Sequence, residues 1–189
     1  MPRVFIAVEI EDVRILNEII RIRDRVAACS SDIDLKVVED ENLHITLRFI
    51  GEISDITVKD VIKVLEGIRG FKKFSIRLRG LGAFPSQSRP RVIWLGISDG
   101  STQLKLIRDH IESGLRKLGI SGEREEFVPH ITLARIKSFR SNQCIANLFI
   151  ELGNIEVGTS PVTRVKLKKS TLTPKGPIYT DLFEVQLAD

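Results

Sequence analysis

The tetrapeptide His-Ile-Thr-Leu occurs twice, within LHITLRFIG at 43–51 and PHITLARI at 129–136, in a chain with only three histidines. With nine threonines in 189 residues, a Thr two places after two of the three histidines is roughly a one-in-a-hundred coincidence, before the shared Ile and Leu are counted. The surroundings repeat as well. VFIAVEI at 4–10 reads as a strand, and EDVRILNEIIRIRDRVAAC at 11–29 steps its apolar residues at helical spacing. RVIWLGI at 91–97 and TQLKLIRDHIESGLRKLG at 102–119 do the same in the second half, with Gly119 as the helix stop. Each His-Ile-Thr-Leu strand is then followed by another helical pattern, at 54–70 and 141–153, and by more strand. The repeat is too long for a solenoid unit. It predicts an α+β chain, bilobal and pseudo-twofold, with antiparallel sheets lining a central cleft and helices outside. The approximate halves are 1–88 and 89–189, two intimately packed lobes of one domain, with FPSQSRPR at 84–91 as the crossover.

Strand alternation puts His44, Thr46 and Arg48 on one face and Ile45, Leu47 and Phe49 in the core. The second copy puts His130 and Thr132 outward, with Ile131 and Leu133 inward. A twofold between the lobes then brings two imidazoles and two hydroxyls to one cleft. Histidine's ordinary pKa near 6.5 lets one ring accept a proton while the other donates one at neutral pH. Phosphodiester hydrolysis needs that combination, and the threonine hydroxyls can donate to phosphate oxygens. No Cys, Asp or Glu stands near these histidines at ligand spacing, so no metal is expected. A single His-x-Thr strand is most often only a surface or hydrogen-bonded histidine, and a duplicated structural strand would also repeat the residues. His110, mid-helix with no such partner, reads as structural.

Lysine and arginine exceed the acids 29 to 25, a net charge of +4, which is compatible with an anionic partner and equally with plain solubility. Apolar runs are too short to span a bilayer, and MPRVFIAVEI enters a strand pattern at once rather than a signal peptide. A cytoplasmic monomer with no membrane partner is the expectation. Cys29 and Cys144 lie in separate helical segments without metal spacing and are expected to be reduced, buried thiols.

Beyond the two motifs, RVFIAVEI at 3–10, ENLHITLRFIGE at 41–52, GLGAFPSQSRPRVIWLGI at 80–97, FVPHITLAR at 127–135 and STLTPKGPIYTDL at 170–182 resemble the two-histidine phosphoesterases. Within them they are most similar to the RNA 2',3'-cyclic phosphodiesterases, also called 2'-5' RNA ligases, over nearly the whole length. The resemblance implies a bilobal fold, no cofactor, and RNA with 2',3'-cyclic phosphate ends as substrate, tRNA fragments among them, opened to a 2'-phosphomonoester. It also implies a reverse, ATP-independent 2'-5' joining of RNA ends. His44 would be the proton donor and His130 the acceptor, with Thr46 and Thr132 holding the phosphate. Arg135 matches a family arginine near the phosphate, although strict alternation would point it away from His130 unless a bulge intervenes. Phe5 sits where such proteins present an aromatic for a terminal base; core packing explains it equally. Tyr179 and Lys175 fit either the cleft mouth or a turn with an edge strand. Two other classes stay open: a small-nucleotide phosphodiesterase of the same fold, acting on a cyclic ADP-ribose phosphate or 2'-5' oligoadenylate, and a non-catalytic RNA-binding module.

Overall fold

In the computed structural model, which describes residues 1–189, the elements run β1 (Arg3–Glu9), α1 (Val13–Ala27), β2 (Ile33–Val37), β3 (His44–Glu52), α2 (Asp55–Glu66), β4 (Phe74–Phe84), β5 (Val92–Ile97), α3 (Ser101–Lys117), β6 (His130–Phe139), α4 (Gln143–Leu152), β7 (Glu156–Val162), β8 (Arg164–Thr173) and β9 (Gly176–Gln186). Local chemistry marks the helix starts. The Asp12 carboxylate accepts from the amides of Arg14 and Ile15 to begin α1, and Ser54 Oγ accepts from Thr57 to begin α2. The apolar stripe of α3, Leu104, Ile107, Ile111 and Leu115, is buried, whereas Leu118 just past its end is 37% exposed.

All pairings between these strands are antiparallel, in the order β7-β4-β5-β6-β3-β1-β8-β9, with β2 added along β6. The sequence halves are not the spatial halves. β4, from the first half, lies between β5 and β7, and β8, from the second, lies beside β1. The first half thus lends β2 and β4 to the second lobe and the second half lends β8 and β9 to the first, and the exchange of β4 for β8 respects the pseudo-twofold. The helices are exchanged too, since α1 packs behind β6 and β7 while α3 packs behind β3. One contiguous cluster of 37 buried residues runs through both lobes, so neither lobe has a core of its own to fold around.

At the seam the lobes barely join. β3 and β6 pair at a single position, Ile45 opposite Ile131, and on either side of it the sheet splays open. β2 was not foreseen because IDLKV, although its apolar and polar residues alternate, is only five residues long; it forms by pairing with β6 from Ile33↔Phe139 to Val37↔Ala134. The expectation of two free thiols is corrected as well. The turn after α1 and the first turn of α4 meet behind β6, bringing Cys29 and Cys144 to a Cα–Cα distance of 5.7 Å in a disulfide. No helix is long and apolar enough to cross a membrane.

Candidate active site

Both motif strands carry a β-bulge at the same place. Along β1 and β3, Ala7 stands opposite Thr46 and Ile6 opposite Arg48, leaving Leu47 as an extra residue. Along β5 and β6, Trp94 stands opposite Thr132 and Ile93 opposite Ala134, leaving Leu133 extra. An extra residue reverses the alternation beyond it. Leu47 and Arg48 are therefore both buried, as are Leu133 and Ala134, and the next residues, Phe49 and Arg135, turn into the cleft.

This resolves the orientation of Arg135 and corrects two expectations from the first copy. Arg48 is not a cleft residue. Its guanidinium points behind the sheet, pairs with Glu112 of α3, donates to the carbonyls of Phe49 and Ser121, and is 3% exposed. Phe49, expected in the core, is 42% exposed, with Arg3 over its ring at 5.2 Å.

The cleft is a cavity of about 540 Å³ whose walls include His44, Thr46, His130, Thr132, Arg135 and Phe5. The two imidazoles are held alike. His44 Nδ1 lies 2.6 Å from the Asn42 carbonyl oxygen and His130 Nδ1 lies 2.6 Å from that of Val128. A carbonyl can only accept, so each Nδ1 carries a hydrogen and each Nε2 is left to work in the cleft. His44 Nε2 is 2.8 Å from Thr46 Oγ1; with the ring neutral, the hydroxyl donates to it.

Aromatic rings brace both histidines. Phe5 and Tyr179 lie 5.1 and 5.5 Å from His44, and 4.8 Å from each other. Phe84 and Trp94 lie 5.0 and 5.9 Å from His130. Gly82 permits the second arrangement, since a Cβ there would stand 2.4 Å from the Trp94 ring.

These surroundings govern the protons. Burial pushes His44 down to about 4; the charges of Lys168 and His130 push the same way, while the Asn42 carbonyl and Glu9 oppose them. His130 is also lowered, by burial first, with Arg135 adding to it and the Val128 carbonyl opposing. Both rings are therefore neutral at pH 7 in the free protein. No cluster of three His, Cys, Asp or Glu side chains offers a site for a metal ion.

Several wall residues escaped the sequence reading. Phe49 was hidden by its bulge, and Lys36, Val37 and Glu39 came with the unforeseen strand β2 and its exit. Lys137 lines the same wall through the shifted alternation of β6. Lys175 and Tyr179, each open to two readings, both line the cleft. Of the basic stretches FKKF at 71–74, RLRG at 77–80 and KLKKS at 166–170, only Ser170 lines it. His110 packs edge-on against Phe71 at 5.6 Å, away from the cleft.

Comparison with known proteins follows the same duplication. A family model described as LigT like phosphoesterase matches twice, over residues 10–94 and 95–179. The chain is 47% identical over 173 residues to the RNA 2',3'-cyclic phosphodiesterase of Aeropyrum pernix, covering 92% of this chain and 97% of that one. It is 39% identical over 181 residues to the protein of the same name from Methanothermobacter thermautotrophicus, covering 95% and 96%. Among solved structures it resembles TT0787 of Thermus thermophilus, with a TM-score of 0.82, 27% identity and coverage of 98% and 97%. It also resembles E. coli LigT complexed with 3'-AMP, with a TM-score of 0.81, 26% identity and coverage of 100% and 99%.

Proposed function

The chain belongs to the LigT-like phosphoesterase family, and from that premise we propose that it is an RNA 2',3'-cyclic phosphodiesterase that opens the cyclic end to a 2'-phosphomonoester by acid–base catalysis between His44 and His130. The observation that carries this reading is the matched pair of imidazoles, each with Nδ1 tied to a backbone carbonyl and Nε2 turned into one cleft. A ring so tied keeps its working nitrogen aimed whether it is protonated or not.

In the reaction, neutral His130 Nε2 takes a proton from water as the water oxygen bonds to phosphorus. The bond from phosphorus to the ribose 3' oxygen breaks, and His44 Nε2–H delivers its proton to that oxygen. The hydroxyls of Thr46 and Thr132 donate to the non-bridging oxygens, and Arg135 balances the charge that builds there. Arg135 also favours the neutral form of His130, the form an acceptor needs. His44 starts neutral, so it becomes a donor only when the phosphate anion enters and raises its pKa. Tyr179 offers a face on which a terminal base can stack, while Phe5, only 3% exposed, packs against His44 and Tyr179 and backs them. With the 5' hydroxyl of a second RNA end in place of water, the same groups would form a 2'-5' linkage without ATP.

Purified protein incubated with an RNA bearing a 2',3'-cyclic end, with and without chelator, tests the reading. A 2'-phosphate and a 3' hydroxyl should form at the same rate in both. Activity lost in chelator and restored by zinc or manganese would refute the metal-independent mechanism.

A further inference from the structure

One wall of the cleft carries more positive charge than the reacting group can use. Lys36, Arg135, Lys137 and Lys175 line it, against a single acid, Glu39. None of the four is ion-paired, whereas Lys166 and Lys168 elsewhere on the sheet are each held by both Glu9 and Asp181. The fold gathers them from three segments. Lys36 of β2 stands opposite Arg135 of β6. Lys137 is two residues further along β6 on the same face, separated by buried Ile136. Lys175 caps the β8–β9 turn, where a Cβ on Gly176 would lie 3.4 Å from Lys36 Nζ.

A cyclic phosphate at the end of a nucleoside has one negative charge, and Arg135 with a protonated imidazole already answers it. Three exposed ammonium groups without counter-charges remain on the same wall. Uncompensated like charges brought together repel one another, an arrangement that favours a ligand with several anionic groups in a row. We propose that Lys36, Lys137 and Lys175 form a subsite for the internucleotide phosphates behind the reacting end, so that the substrate is a single-stranded RNA oligomer in preference to a cyclic mononucleotide. This rests on the reading of His44 and His130 as the phosphodiesterase pair.

The test compares kcat/KM for a cyclic mononucleotide and for a short single-stranded RNA with a cyclic end, over a range of salt, in the wild type and in the K36Q/K137Q/K175Q variant. Each phosphate contact on a single strand contributes about −0.7 to the slope of log affinity against log salt. Three contacts should make the oligomer's slope steeper by about 2, roughly a 20-fold greater loss between 50 and 200 mM salt. The triple variant should abolish that difference and lower the ratio of oligomer to mononucleotide kcat/KM at low salt by at least tenfold. Equal slopes for the two substrates in the wild type, or a ratio unmoved by the substitutions, would overturn the proposal. If the wild type turns over neither substrate, the phosphodiesterase reading fails instead. Fluorescence anisotropy of a labelled single-stranded RNA over the same salt range then decides the subsite, supporting it if the variant loses the slope and refuting it if it does not.

Discussion

Ile45 and Ile131 are the sole residue pair through which β3 and β6 meet. Extending that antiparallel register by one residue sets His44 across from Thr132 and Thr46 across from His130. The pseudo-twofold passes through the pair, so each histidine has a threonine beside it on its own strand and another across the seam. Both isoleucines are fully buried, which anchors the one backbone pairing between the motif strands while the strands part around the cleft. The proposed catalytic groups therefore sit on strand backbone rather than on loops, and a phosphate between the histidines would meet both hydroxyls at once.

The two histidines should fail as a unit. His44→Ala and His130→Ala should each lower kcat by about 10²–10⁴ with the melting temperature little changed, and the double variant should be scarcely worse than either single. Single-turnover rates on a cyclic-ended RNA measure this. Losses that multiply would mean that the two rings act in separate steps.

The pH profile should depend on whether substrate is bound. In the free protein His44 is held at about 4 and His130 below its usual value, so the bell in kcat/KM, which reports free groups, should peak on the acid side of about 6.5. Bound phosphate favours both imidazolium forms, so the bell in kcat should move to higher pH. The limbs belong to the coupled pair. A kcat/KM that climbs monotonically into alkaline pH would count against two histidines sharing the work. Linkage gives a second measure, because the unfolded rings bind protons below about 6.5 that the folded rings refuse. Their contribution to stability should be present above that pH and be lost as the pH falls toward 4.

Arg48 should matter for stability instead of chemistry. Arg48→Ala would leave Glu112, itself 7% exposed, without its partner in the interior, at a cost of about 3–5 kcal/mol. The Arg48→Met/Glu112→Leu double variant should recover part of that loss in chemical denaturation, with kcat per folded molecule near wild type. A selective loss of kcat in the double variant would return Arg48 to the site.

The repeat made much of this architecture legible. His44, Thr46, His130 and Thr132 follow from period two on a strand, and their convergence follows from duplication. What defeated the reading was a pair of single-residue bulges, which depend on how β1 and β5 pair with the motif strands and leave little trace in local composition. One trace existed. Arg135 could reach the cleft only through a bulge, and applying the same irregularity 86 positions earlier would have turned Phe49 outward and Arg48 inward. β2 and the disulfide escaped for another reason: both join segments distant in the chain, 115 residues apart for the disulfide, and the five-residue alternation of IDLKV is too short to mark a strand by itself.

Reduction should loosen the back of the second lobe. The Cys29–Cys144 bond closes a loop of 115 residues, and losing a native crosslink commonly costs about 2–5 kcal/mol. Thermal melts with and without reductant, beside the Cys29→Ser/Cys144→Ser variant, should show the melting temperature falling in reductant for the wild type alone. Activity at moderate temperature should persist, since neither cysteine lines the cleft. An identical melt in both conditions would mean that the bridge adds nothing to stability.

The last prediction concerns which ester bond opens. A pseudo-twofold site could in principle bind the ribose either way round, and the 2' and 3' oxygens differ little as leaving groups, so the outcome depends on what breaks the symmetry. The two bulges do so. At equivalent positions they present the Phe49 ring on one side and the Arg135 guanidinium on the other. Tyr179, backed by buried Phe5, adds an aromatic face beside His44, so the nucleoside belongs on that side and the charge on the other. With His44 as donor to the 3' oxygen, the product carries a 2'-phosphate. Phosphorus NMR of the product from a cyclic mononucleotide should show that isomer almost alone, and Phe49→Arg, which makes the two sides alike in charge, should raise the share of 3'-phosphate. A wild-type product that is mainly 3'-phosphate would mean that the ribose lies reversed or that the two histidines exchange roles, even if both prove essential.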